Sequence, residues 1–215
     1  MKELSKIAQK YLTDKGITFG NSHGYTEIYN DYFKKIKEDG RKVNILEIGV
    51  QYGHDLLMLN EYFDGNCEIW GIDINTQSLA VELPENIHVI TMDGTDGETI
   101  DSWLSERYGG AALYKMPRFD IIIDDGSHWA PHILTTLTIL YKYLTYDGIY
   151  IIEDLHASEA ADALYYLNFF DTDGMEDVTK HIKTCNIHHI FNNYNNDFIA
   201  SKCAVLTFNL KRAYE

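Results

Sequence analysis

Proline is scarce in this 215-residue chain: Pro84, Pro117 and Pro131 are the only three, and no two adjoin. That excludes a proline-rich linker. Basic residues are also few, 18 Lys and Arg against 33 Asp and Glu, for a formal net charge of −15. Neutralising a phosphate backbone or an anionic bilayer needs clustered Lys and Arg, so neither nucleic acid nor a membrane surface is an expected partner. Metal ions and cationic cofactors remain suitable. No apolar run approaches the roughly 18–20 residues of a membrane helix. The start, Met1 to Lys6, leads into an amphipathic pattern and not into a signal-peptide core. The three cysteines, Cys67, Cys185 and Cys203, are odd in number and scattered. They offer no zinc spacing and argue for a reducing compartment, with the cytoplasm as the expected location.

The remainder is ordinary for a soluble globule. With 45% apolar and 24% charged residues the chain carries a full core, and its length suits one domain with a small extension. Residues 1–40 read as a helical cap: Leu4, Ile7, Ala8, Tyr11 and Leu12 follow a helical stripe. Thr13-Asp14-Lys15-Gly16 breaks it, and a polar loop leads to a helix over about Thr26 to Glu38. Residues 41–215 read as the main domain. Apolar strands are expected at Val43–Ile48, Glu68–Ile74, Ile87–Met92, Phe119–Ile123 and Gly148–Ile152. Helices are expected between them, at 54–63, 98–108 and along the face Ile133, Leu137, Leu140, Leu144, with another at 158–170. Two last strands, Ile187–Phe191 and Ala204–Asn209, flank an Asn-rich turn. Near-continuous apolar strands alternating with helices imply an α/β fold: a mostly parallel sheet with helices on both faces, closed by an antiparallel hairpin. Such sheets bind ligands at the carboxyl ends of their strands.

Those ends are rich in acids. The first closes in Glu47-Ile48-Gly49-Val50-Gln51-Tyr52-Gly53, where Gly49 permits a tight turn and Gly53 opens a helix whose N-terminus favours negative charge. The second closes in Asp73, 24 residues after Gly49. An acid at roughly that distance accepts ribose hydroxyls in dinucleotide sites. The third closes near Asp93, where an adenine amino group would be met. NAD sites usually carry G-x-G-x-x-G, and here Gln51 stands at the middle position, which favours a cofactor without a pyrophosphate. The fourth strand closes in Asp124-Asp125-Gly126-Ser127-His128 and the fifth in Glu153-Asp154. Carboxylates at the end of an Ile-rich strand are costly unless they bind something. Oxygen ligands of this kind suit Mg²⁺ or Mn²⁺, and His128 beside them is placed to accept a proton near neutral pH. A solvated acidic rim, with His128 capping the next helix, is the alternative. His156, two residues past Asp154, is a candidate supporting group.

These segments resemble class I S-adenosylmethionine-dependent O-methyltransferases, and more narrowly the macrocin and mycinamicin-type sugar O-methyltransferases with the related cephalosporin hydroxylase and rhamnosyl methyltransferase group. The likeness is carried by Thr13-Asp14-Lys15-Gly16, His23-Gly24-Tyr25-Thr26 and Tyr29. It continues through Leu46 to Val50, Gly71-Ile72-Asp73, Ile123 to His128, and Gly148 to Leu155. It implies a Rossmann-like methyltransferase fold with a seven-stranded sheet whose last strand is antiparallel, and transfer of a methyl group from S-adenosylmethionine to a sugar hydroxyl. It further implies metal ligation by Asp125, Glu153 and Asp154, His128 as general base, and cofactor binding by Glu47, Gly49, Gly53, Asp73, Asp93 and Asp124. Asp14, Lys15 and Tyr25 would lie over the cofactor or acceptor, in roles left unassigned. The chain has no room for the added N-terminal domain of longer members, so their oligomeric arrangement does not transfer, and a homo-oligomer stays open. A catechol-type phenol methyltransferase, a nicotinamide-dependent oxidoreductase and a non-catalytic binding protein are the competing readings. A nucleic-acid methyltransferase is disfavoured by the charge and by the lack of an Asn/Asp-Pro-Pro-aromatic segment.

Overall fold

A computed structural model describes residues 1–17, 22–107, 118–155, 175–194 and 197–210. The expected helix at 158–170, His156 and the loop after Leu155 lie outside the described residues.

Seven strands form one sheet in the order β3-β2-β1-β4-β5-β7-β6. Their ranges are β1 Val43–Ile48, β2 Cys67–Asp73, β3 Ile87–Thr91, β4 Phe119–Asp124, β5 Leu144–Ile152, β6 Ile182–Tyr194 and β7 Asp197–Phe208. The pairs β1/β2, β2/β3, β1/β4 and β4/β5 are parallel. Strand β7 runs antiparallel to both β5 and β6. It alone is reversed, which agrees with the expected antiparallel last strand, and it is inserted between β5 and β6. Both hairpin strands are longer than their apolar cores imply, because the ladder from Ile182↔Phe208 to Tyr194↔Asp197, with one register shift between Ile182 and Thr184, satisfies the backbone whatever the side chains.

Alternation along each strand divides the core into two layers. In β4 and β5, Ile121, Ile123, Ile149 and Ile151 join the layer of α1 (Glu3–Tyr11), α2 (Tyr25–Glu38) and α3 (His54–Tyr62). Ile122, Tyr150 and Ile152 face the opposite layer, built by α4 (Gly97–Arg107), α5 (Ala130–Leu140) and α6 (Glu176–His181). A side-chain period of two on a sheet covered on both faces dictates this division. Helices α1 and α2 thus share the core of the sheet: Leu4, Ala8, Tyr29 and Phe33 are wholly buried in it.

The strand order reverses between β1 and β4, with Ile48 opposite Asp124. A crevice opens there, outside the carboxyl ends of the strands, as this topology requires.

Candidate active site

A cleft of about 670 Å³ occupies that crevice, within the usual range for a small-ligand site. Gly49, Asp73, Asp93, Asp124, Asp125 and His128 all contribute to its wall. Gly49 adopts φ +85°, and a Cβ there would lie 2.1 Å from the carbonyl oxygen of Asp125. Only glycine lets the β1 turn pass so close to the end of β4. Gly53 also has positive φ, +82°, but its open face meets Val81 and Leu79 and it does not line the cleft. Its place is at the N-cap of α3.

Asp73 works structurally as well as lining the wall. Its Oδ2 accepts the N–H groups of Val50 and Gln51 at 2.8 and 3.0 Å, and Oδ1 accepts that of Asn75 at 2.8 Å. A carboxylate offers about four acceptor sites, so room for a ribose hydroxyl remains. Asp93 holds Thr95 through Oδ1, which lowers its pKa. Asp124 is turned into the protein, accepting from the Thr136 hydroxyl and from Tyr150 Oη at 3.3 Å. Burial pushes its pKa up to about 6, against those hydrogen bonds.

Asp125, His128 and Asp154 present ligand atoms that all lie within 4.8 Å of one another. His128 Nε2 is 3.7 Å from Asp154 Oδ2. Both residues sit in the left-handed region, with φ +56° and +51°. Such backbone persists in non-glycine residues only where surroundings enforce it, and it recurs at functional sites. On the other side of Asp154, Tyr25 donates to Oδ1 at 2.6 Å and His23 Nδ1 lies 3.5 Å away. His23 stacks on Tyr25 and its Nδ1 pairs with Ser201 Oγ at 2.8 Å.

Glu153 faces inward. Lys15 Nζ meets both of its oxygens at 2.8 Å, and Tyr29 donates to Oε1. The same ammonium lies 2.5 Å from Asp125, 3.6 Å from Glu47 and 3.7 Å from Asp55. Burial alone would strip its proton, but the charges of Asp125, Glu153, Asp55 and Glu47 outweigh that and hold its pKa well above the usual lysine value. Glu47 is fully buried beneath the cleft and does not line it. Burial raises its pKa, with Lys15 opposing. The structure therefore gathers Asp125, His128 and Asp154 at the mouth, and Glu47 and Glu153 around Lys15 behind it. Lys15, Tyr25 and Tyr29, whose roles the sequence left unassigned, prove to build this inner wall. The four-residue spacing of Tyr25, Tyr29 and Phe33 was the available signal of that buried face.

The paired carboxylates of Asp125 and Asp154 suit a hard divalent cation, and the His128 imidazole beside them suits proton transfer. The cleft, with acids on consecutive strand ends, suits an adenosine. This is the fold of the class I S-adenosylmethionine-dependent methyltransferases. Within it, the chain resembles sugar O-methyltransferases of macrolide and tetracenomycin pathways. It is 33% identical over 159 residues to mycinamicin VI 2''-O-methyltransferase of Micromonospora griseorubida, a stretch covering 71% of this chain and 36% of that protein. Demethylmacrocin O-methyltransferase of Streptomyces fradiae is 31% identical over an equal length and coverage. The chain thus spans little more than a third of the length of the curated relatives it matches. Among solved structures, the MycE methyltransferase in complex with Mg and SAH superposes with TM-score 0.64 at 25% identity, over 100% of this chain and 56% of that one. A complex that also holds mycinamycin VI gives 0.66 at 24% identity, with the same coverage. No family model matches the chain.

Proposed function

We propose that this chain transfers the methyl group of S-adenosylmethionine to a hydroxyl of a sugar-containing small molecule, with the help of a divalent cation. The observation that carries the reading is the convergence of Asp125, His128 and Asp154 at the mouth of the β1/β4 cleft. The names of the relatives support it, since each is a methyltransferase of a glycosylated natural product.

In this reading Gly49 and the turn held by Asp73 shape the floor for the adenosine. Asp73 takes a ribose hydroxyl and Asp93 lies toward the base. Asp125 and Asp154 hold the cation, while Glu153, expected from the sequence as a third ligand, is engaged by Lys15 through both oxygens. The bound cation would lower the pKa of an acceptor hydroxyl, and the cofactor would supply an electrophilic methyl group. His128 Nε2 takes the hydroxyl proton as the oxygen attacks, and the Asp154 carboxylate at 3.7 Å stabilises the imidazolium so formed. Tyr25 fixes the Asp154 side chain from behind. Positioning and charge are what the chain contributes.

The test is formation of S-adenosylhomocysteine by the purified protein with a panel of glycosylated macrolides, nucleotide sugars and catechols. Turnover is expected with a sugar-bearing acceptor, loss of it in EDTA, and recovery with Mg²⁺ or Mn²⁺. Full turnover in EDTA removes the cation from the reading, and turnover with catechols alone reassigns the acceptor to phenols. No described helix is long and apolar enough to cross a membrane.

A further inference from the structure

Lys15 is the only lysine or arginine buried among the described residues, at 1% exposure. Its backbone is pinned at both ends: its N–H donates to Thr13 Oγ1 at 3.2 Å, and its carbonyl accepts from Thr26 N at 3.0 Å. The ammonium is therefore delivered to one place. Around that place stand Glu47, Asp55, Asp125 and Glu153, all within 3.7 Å.

Two groups of ligand atoms overlap at this edge. The outer group is Asp125, His128 and Asp154; the inner group is Glu47, Asp55 and Asp125. Each spans no more than 4.8 Å, and they share Asp125. Adjacent groups of this kind resemble, in layout, the two-ion sites of phosphatases and polymerases. Both oxygens of Glu47 are buried without a hydrogen-bond partner. A buried carboxylate in that condition is costly unless it takes up a proton or stands beside a cation, and Lys15 stands 3.6 Å away.

We propose that Lys15 is the resident cation of the inner group, a positioning residue that confines the divalent ion to the Asp125 and Asp154 carboxylates of the outer group, beside His128, and limits the edge to a single ion. An ion in the inner group would have to share Asp125 with an ammonium already in contact with it. Glu47 and Asp55, its other two ligands, face the same ammonium at 3.6 and 3.7 Å, whereas an ion in the outer group shares only Asp125 with it and finds its further oxygens on Asp154. The inference rests on the cation-dependent reading above, and its subject is where the ion goes and why only one does.

The experiment counts Mn²⁺ bound by the full chain, by electron paramagnetic resonance of free Mn²⁺ and by calorimetry, without cofactor or acceptor. Wild type is expected to bind a single ion. Glu47→Gln is expected to leave that affinity unchanged, and Asp154→Asn to weaken it by about tenfold or more. Lys15→Ala is expected to admit a second ion, and the Lys15→Ala/Asp154→Asn double variant to regain one. Lys15→Arg keeps a cation in place and is expected to stay at a single ion. Loss of binding in Glu47→Gln with retention in Asp154→Asn overturns the proposal, because the ion would then occupy the inner group. So does a Lys15→Ala chain, folded by circular dichroism, that takes no additional ion. The Glu47 and Asp154 pair decides the question even where Lys15→Ala does not fold. Absence of any Mn²⁺ in wild type is a different failure: it removes the cation-dependent reading itself, and this inference with it.

Discussion

Asp73, at the end of β2, holds Val50, just past the end of β1: its Oδ2 accepts the Val50 N–H at 2.8 Å. The neighbouring Gln51 N–H reaches the same oxygen at 3.0 Å. One carboxylate thereby sets the shape of the glycine turn and lines the cleft that the turn borders. Brace and candidate ribose ligand are the same side chain.

Asp73→Ala is accordingly expected to have two effects. Affinity for S-adenosylhomocysteine falls by about tenfold or more, the scale of a lost hydrogen bond to a charged group. The melting temperature falls as well, because Val50 and Gln51 lose their acceptor. Calorimetric titration and thermal unfolding read the two separately, and unaltered binding would refute the ribose role.

His128→Ala is expected to lower kcat by about 10²-fold or more while leaving cofactor affinity little changed. Single-turnover methyl transfer alongside calorimetry checks this. Near-normal turnover would move the base elsewhere, with His23, on the other flank of Asp154, as the first residue to examine.

Two glycines of positive φ separate backbone strain from crowding. At Gly40, φ +67°, an added Cβ meets nothing within 4 Å. Gly40→Ala should destabilise by about 1 kcal/mol, the strain of a left-handed alanine alone. At Gly49 the Cβ would collide with the Asp125 carbonyl. Gly49→Ala should lose more than Gly40→Ala, by about 1–3 kcal/mol, and should weaken cofactor binding. Urea unfolding of both variants measures the difference.

His188 offers a pH test far from the cleft. Burial lowers its pKa below the usual 6.5, with Asp31 opposing, and its Nε2 pairs with Tyr32 Oη at 3.0 Å. The unfolded chain therefore binds the proton more readily than the folded one. The stability linked to this group is full above pH about 6.5 and declines as pH falls through that value toward the lowered one. His188→Gln should flatten this part of the stability profile between about pH 5 and 7. An unchanged profile would show that the side chain titrates freely.

The sheet was readable because β1 to β5 are apolar on both faces: Ile121, Ile122 and Ile123 signal a buried strand whichever way each points. The acids of the site were readable for a related reason, since Asp73, Asp124, Asp125 and Glu153 each close such a run. Strand β6 was underestimated because Lys183, Asn186, His188 and His189 lack the apolar signal that ladder pairing does not need. Lys15 was the hardest to place. A lysine in Thr-Asp-Lys-Gly looks like a solvated loop residue, and only carboxylates distant in sequence give it a reason to be buried. The division of labour between Glu153 and Asp154 was likewise hidden, since adjacent residues at a strand end point apart once the backbone turns, as the φ of +51° at Asp154 shows.

The bond from Lys15 to Glu153 joins residues 138 apart, and that from Tyr25 to Asp154 joins residues 129 apart. Contacts of such long range carry the entropic cost of closing large loops, which the packing of the strap has to offset. The amino-terminal strap thus closes loops of well over a hundred residues when Lys15 and Tyr25 reach the end of β5. Without that closure the carboxylates of Glu47, Asp125 and Glu153 would face one another with no ammonium between them.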